Sequence, residues 1–463
     1  MDVGSPDPFI AALLSLPGND RWAVDTASAI PGVTLYAVRS FDGDALRFSL
    51  PVLIRRPLPK EIPLDPRGAK GAVAFIIERI KQKAATDHAL GPLAGRGTRF
   101  PQHYASTVEP YTLTASPAAL ASDLWHADSR NFADDGGIHV VLCGAVPYPE
   151  DLPPRATRQF CEQAAALCDA VAGMACTLPA RILEPAWVAS LDQQLLRESL
   201  PSLGLVAFVG DGARPARQCT QYRSYFRTAG PKSGVNITFA CPKELGPVEI
   251  ELPASHTIIT GLGIKQREVF AVAGSNAQGK TTFLEGIVAG QDDHAAGDGR
   301  ELIVTVRGVC GAEATGCELA GADVSMFFSA LPPGMEGTVK AAYGAGSGSM
   351  TMAAEIQDAV ARSAPLLIID EDRAAANLLA KSCLQGDEVT PLAEILAGNR
   401  GKLKKTALVF AACAMDTLIA QANRIMVLER HAATAIDRDA FRRRVVAMLE
   451  KSAADLAWHR RAR

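Results

Sequence analysis

Gly274-Ser275-Asn276-Ala277-Gln278-Gly279-Lys280-Thr281 constrains this chain more than any other stretch. It fits G-x-x-x-x-G-K-[ST], and its flanks agree with that pattern. Val269 to Ala273 reads as a short buried strand, and Thr282 to Val288 reads as the first turns of a helix. In that setting the two glycines let the backbone wrap a phosphate, and the exposed N–H groups and helix N-terminus favour its negative charge. Lys280 is expected to reach the β- and γ-phosphates and Thr281 to hold Mg²⁺, with residues 274–282, Thr282 included, forming the ATP-contacting segment.

At 463 residues the chain is too long for one ordinary core, so more than one domain is expected. A net charge of −3 exerts no global pull toward nucleic acid or anionic membrane. Any such binding must come from a local patch. The ten cysteines are scattered without a C-x-x-C pair, which speaks against a structural metal and for a reducing compartment. No apolar run approaches a membrane span. The first residues carry acids before the first arginine, unlike a secretory or transit segment. A soluble intracellular protein without a membrane partner is the expectation, cytoplasmic by default.

Strands are expected at 33–38 and 45–50, joined through an Asp-Gly turn, then a proline-rich connecting loop from Pro51 to Pro66. Helices are expected at 71–85, 155–172 and 185–200, and strands at 138–142, 204–209 and 248–252. After the P-loop come strands at 302–306, 366–369, 406–411 and 424–428 with helices between them. That alternation predicts an α/β fold with a mostly parallel sheet. The domain reading is an N-terminal α+β accessory domain over 1–200, an ATPase core over 201–436 and a basic C-terminal helix over 437–463.

Leu366-Leu367-Ile368-Ile369-Asp370-Glu371 is a buried strand that delivers carboxylates at its C-terminal end, where ligands sit in such sheets. Asp370 is expected to help hold Mg²⁺, and Glu371 to orient or deprotonate the attacking water. Between this strand and the P-loop, Gly346-Ser347-Gly348-Ser349 opens a helix. Ser347, Gly348 and Ser349 there offer N–H groups to an anion. Taken alone, the small residues from Ala341 to Ser349 fit a flexible linker equally well.

These stretches, with Gly204 to Ala213, Gly261 to Ile264, Gly297 to Glu301, Gly321 to Ser325, Leu331 to Gly334 and Asn377 to Leu379 in the same order, resemble the predicted ATPases of the ABC class. The resemblance runs over roughly residues 200–430 and more weakly through the N-terminal half. A characterised branch of that family includes a kinetoplastid mitochondrial RNA-editing factor. The resemblance therefore implies an ABC-type core that binds ATP and Mg²⁺ at a homodimer interface, where Ser347, Gly348 and Ser349 close the site of the other copy. It implies RNA as the partner, and the mitochondrial matrix if the source is a kinetoplastid.

The chain departs from the family in particular places. Ser275, Asn276 and Gln278 stand where the family has more glycine and a His before Gly-Lys. Arg373 and Ala374 replace Thr and Ser, Ser382 replaces an Asp, and Met350-Thr351-Met352 replaces small polar residues. No His lies between 294 and 431, and no Gln stands at a Q-loop position. With Lys280, Thr281, Asp370 and Glu371 retained, binding with slow hydrolysis is the expectation, Glu371 and Lys280 being its catalytic residues.

Three basic segments compete for RNA. Arg79, Lys81 and Lys83 lead to Arg96 and Arg99 near aromatics; Lys402, Lys404 and Lys405 form the second; Arg442, Arg443 and Arg444 open the third. Phosphate binding needs clustered cations, and base stacking needs exposed aromatics. Only the first segment offers both. The rival readings are an ATP-gated clamp for RNA or protein with little turnover, a DNA-associated repair-type ATPase and a transporter's ATPase subunit. The repair type lacks its long heptads.

Overall fold

The computed structural model describes residues 8–26, 32–38, 45–84, 86–94, 127–147, 153–220, 223–228 and 237–461. The contacts divide the chain into two units. One comprises residues up to Gln194 with 217–227 and 294–297; the other comprises 195–216, 228–293 and 298 onward.

The N-terminal unit is built on a sheet centred on Ala45–Ile54, which pairs antiparallel with Thr34–Val38 and Trp22–Val24 on one side and Ile138–Pro147 on the other. The first strand runs four residues past the expected Leu50 and takes in Pro51. Proline has no N–H for a ladder. Here it faces the gap between two neighbours: Thr34–Val38 pairs no further than Ser49, and Trp22–Val24 begins at Val52. The Pro51 carbonyl on that side still accepts from the Asp25 N–H at 3.0 Å. The expected loop from 51 to 66 is thus part strand and part short helix, Leu58–Glu61. Helices Ala69–Ala84 and Pro153–Thr177 pack their apolar stripes on this sheet, burying Val73, Ile76, Ile80, Leu167 and Val171 with Trp22 and Phe48. The Trp22 indole N–H donates to Asp169 at 2.7 Å, and Arg56 forks onto Glu61.

The second unit holds a six-stranded sheet in the order Cys310–Gly311, Leu366–Asp370, Ala407–Ala412, Val269–Ala273, Arg424–Glu429, Ala432–Ile436. The first five strands run parallel and the last turns back antiparallel. Side chains alternate between two cores, as a strand buried on both faces requires. Phe270 and Val272 enter one core with Ile368, Val409 and Phe283; Ala271 and Ala273 enter the other with Ile369, Phe410 and Ile356. The first core is closed by an antiparallel sheet ordered Ile303–Thr305, Leu205–Gly210, Ile258–Lys265, Val248–Glu251. This corrects the placement of 302–306: Ile303 pairs antiparallel with Val209, outside the parallel sheet. Its three buried residues carry no sign of strand direction.

Residues Ala341–Gly346 form a strand between Cys317–Ala322 and Glu336–Thr338, not a linker. Among the described residues no single helix is long and apolar enough to cross a membrane. No group of three or more His, Cys, Asp or Glu is placed to hold a metal among them either.

Candidate functional site

Register places the site. Ala273 lies level with Ala412 and Val427, and Asp370 with Ala411. The P-loop, the carboxylate segment, the loop after Ala412 and the turn after Glu429 therefore all leave the parallel sheet at its C-terminal edge. Two of these strands end in alanine, Ala273 and Ala412, and two in a carboxylate, Asp370 and Glu429.

The P-loop backbone is held in left-handed geometry at three points: Gly274 with φ +139°, Ala277 with φ +60° and Gly279 with φ +93°. A Cβ on Gly274 would stand 2.4 Å from the Leu428 carbonyl oxygen, so glycine is required there on two counts. Gly279 caps helix Lys280–Ala289. Lys280 is buried, and its ammonium donates to the carbonyls of Gly274 at 3.0 Å and Ser275 at 2.9 Å. Ser275, Asn276 and Ala277 are exposed; Thr281 and Thr282 are half-buried.

The Thr281 hydroxyl donates to Asp370 Oδ2 at 2.6 Å, across 89 residues of sequence. Glu371 follows and accepts from the backbone N–H of Cys413 and, at 3.3 Å, from that of Ala414. Asp416, three residues after Cys413, has its carboxyl pushed above its ordinary value by burial and by the charge of Glu371. Arg373 donates to Glu313 at 3.0 Å and lies 3.7 Å from Glu285 on the P-loop helix. The Glu313 hydrogen bond raises its pKa, which keeps it firmly cationic.

Ser347, Gly348 and Ser349 lie in the same unit, beside Ala314, whose N–H donates to the Arg373 carbonyl at 2.7 Å. They begin helix Gly348–Ala361, whose contacts run to Cys310–Gly311, Cys317–Ala322, Ala341–Gly346 and Ala376–Leu379. Ser349 donates to Asn377 Oδ1 at 2.8 Å, tying this turn to the segment after the carboxylates.

The basic residues fare unevenly. Lys81 is buried, with its ammonium 2.7 Å from Glu78, which removes it from the candidate nucleic-acid surface. Helical spacing assigned it to the polar face, but its stem packs into the core. Arg442 donates to the Ala420 carbonyl at 2.8 Å and so anchors its own helix, Arg438–Arg461. Arg443 and Arg444 are exposed. Arg79 lies over the Phe75 ring, and with Lys83, Met174 and Leu178 it lines a cavity of about 520 Å³. Two helices end there, and their carbonyl termini favour cations at that spot. Arg96 and Arg99 lie outside the described residues.

Sequence reasoning missed Gln278, Arg430 and His431 as neighbours, along with Asp416 and the N–H groups of Cys413 and Ala414. The Gln278 carboxamide oxygen accepts from the Arg430 N–H at 2.6 Å. No motif marks these positions, because adjacency in a parallel sheet joins them. The absent His at the loop after Ala412 was the available hint that backbone N–H groups, not a side chain, meet Glu371 here.

A family model described as ABC_ATPase, P-loop domain, matches residues 179–459. Over 409 residues the chain is 37% identical to an uncharacterized protein of Methanocaldococcus jannaschii, covering 88% of this chain and 89% of that one. Among solved structures, a nucleotide-free ATP-binding cassette from an ABC transporter overlaps at 10% identity and a TM-score of 0.28, over 50% of this chain and 90% of that chain. A bacterial Atm1-family ABC exporter with ATP bound overlaps at 12% identity and a TM-score of 0.31, over 64% of this chain and 51% of the exporter. These structural overlaps are too low to bear on ligand or partner. The family match takes in the P-loop, both carboxylates and the Ser347–Ser349 turn, and the chain belongs to the ABC ATPase family of P-loop domains.

Proposed function

We propose that the chain binds ATP and Mg²⁺ at residues 274–282, works as a homodimer and couples nucleotide binding to RNA, with slow hydrolysis. The observation that carries the nucleotide site is the Thr281–Asp370 hydrogen bond of 2.6 Å beside a buried Lys280. The donor set fits the group. Backbone N–H groups of a loop in left-handed geometry suit phosphate oxygens, and a hydroxyl with a carboxylate suits Mg²⁺, a hard cation that takes oxygen ligands. Lys280 now satisfies its ammonium on two loop carbonyls, so it is already inside the loop where a phosphate charge would be met. Thr281 and Asp370 would hold the metal, which when bound neutralises charge on the phosphates. Glu371 is the carboxylate placed to orient water. Its present partners are two backbone N–H groups, which fix its direction but cannot relay a proton as a His side chain can. That supports slow turnover.

A second copy would bring Ser347, Gly348 and Ser349 to the phosphates, since within one chain they begin a different helix from the P-loop's. RNA is supported by exposed cations that lack an acidic partner among the described residues: Arg79 and Lys83 in one unit, Arg443 and Arg444 in the other. The rival favoured by the Glu371 geometry is a clamp that closes on ATP without hydrolysing it. ATP turnover of wild type and Glu371→Gln, each with and without single-stranded RNA, decides between them. RNA-stimulated turnover lost in the variant supports the coupled ATPase. Equal inertness with intact ATP and RNA binding supports the clamp.

A further inference from the structure

The hairpin that edges the parallel sheet walls the P-loop at both of its glycines. Arg424–Glu429 and Ala432–Ile436 pair antiparallel up to Glu429↔Ala432, leaving Arg430 and His431 as a two-residue turn. Both have positive φ, +50° and +64°, the geometry of a type I′ turn that normally takes Gly, Asn or Asp. Arg430 and His431, two side chains that disfavour this backbone, nonetheless occupy it. The Leu428 carbonyl blocks a side chain at Gly274, while the nearest atom to a Cβ placed on Gly279 is His431 Nδ1, at 3.6 Å. Between these points the Gln278 carboxamide oxygen takes the Arg430 N–H at 2.6 Å. The His431 ring is half-buried and makes no hydrogen bond or ion pair among the described residues, which leaves Nδ1 open beside Gly279.

We propose that His431 is a further phosphate contact of the nucleotide site, carried there by a turn that Gln278 latches to the P-loop. The proposal rests on the reading of 274–282 as a nucleotide site. It gives the imidazole the role of a third positive or hydrogen-bonding wall, beside the loop amides and Lys280. It also assigns Gln278 as a positioning residue, acting through Arg430.

The test uses the full chain. His431→Asn removes the imidazole and keeps a residue that tolerates positive φ, so its thermal midpoint should stay near wild type; His431→Gly is the second such variant. Expected are a shift of the His431 ring resonance on adding ATP-Mg or inorganic tripolyphosphate, and roughly tenfold weaker binding of both ligands by the two variants. Gln278→Met should weaken binding similarly and speed amide exchange in 274–281 and 429–432 together. Lys280→Ala separates the two readings. If wild type binds ATP in a Lys280-dependent way, yet the ring signal is still and both His431 variants bind as wild type, the proposal is overturned and the nucleotide site stands. If Lys280→Ala binds ATP like wild type, the nucleotide site itself falls and the proposal with it.

Discussion

Gly274 shows how one residue can be required for two separate reasons. Its φ of +139° disfavours any side chain, and a Cβ would meet the Leu428 carbonyl oxygen at 2.4 Å. Gly274→Ala is expected to cost about 1–3 kcal/mol in backbone strain and to abolish measurable ATP binding; calorimetric titration with a denaturant melt checks both. The motif made the glycine legible, but the carbonyl that enforces it comes from a strand 154 residues later, which no local pattern reveals. Asp416 is a second case. The folded chain holds its proton more tightly than the unfolded chain does. The stability tied to that proton is therefore present below the ordinary carboxylate pKa and lost as pH rises through the raised value. Glu371→Gln removes one of the two causes, so the Asp416 pKa should fall in that variant when its carboxyl carbon is followed by NMR. An unchanged titration would mean that the two carboxyls do not interact.

An arginine at the N-terminal edge of the parallel sheet ties together several of its neighbours. Arg424 forks onto Glu268 at 2.6 and 2.8 Å, donates to the Gly263 and Leu245 carbonyls and lies over the Phe270 ring. It joins the parallel sheet to the antiparallel one, which places it under the P-loop strand. Arg424→Met would leave the buried Glu268 carboxylate without its cation and should cost about 3–5 kcal/mol in urea unfolding. The double variant with Glu268→Gln should recover part of that loss, because the orphaned charge is then gone. Four of the five parallel strands were legible as short apolar runs. Cys310–Gly311 was not, being only two residues long. Ala341–Gly346 was equally opaque: small side chains carry no alternation, and its partners' backbones make it a strand.

For the molecule as a whole, the proposed homodimer predicts a change of mass with nucleotide. Glu371→Gln with ATP-Mg should run as a dimer by light scattering, and Ser347→Ala with Ser349→Ala should shift it back toward monomer. A dimer indifferent to ATP and to both serines would place closure elsewhere. RNA binding, if it uses the exposed arginines and Lys83, should weaken steeply between low and physiological salt, and Arg443→Ala with Arg444→Ala should flatten that slope. The sequence by itself determined the P-loop, the carboxylate strand and the α/β class, because each is a local pattern: glycine spacing, an apolar run, a terminal acid. Only the tertiary structure decided that Thr281 meets Asp370, that backbone N–H groups hold Glu371, that Lys81 is buried, and that Gln278 and His431 share one wall. Those relations depend on which strands lie side by side and in what register. Side chains spread along the whole core set that order together, and no single segment of the chain encodes it.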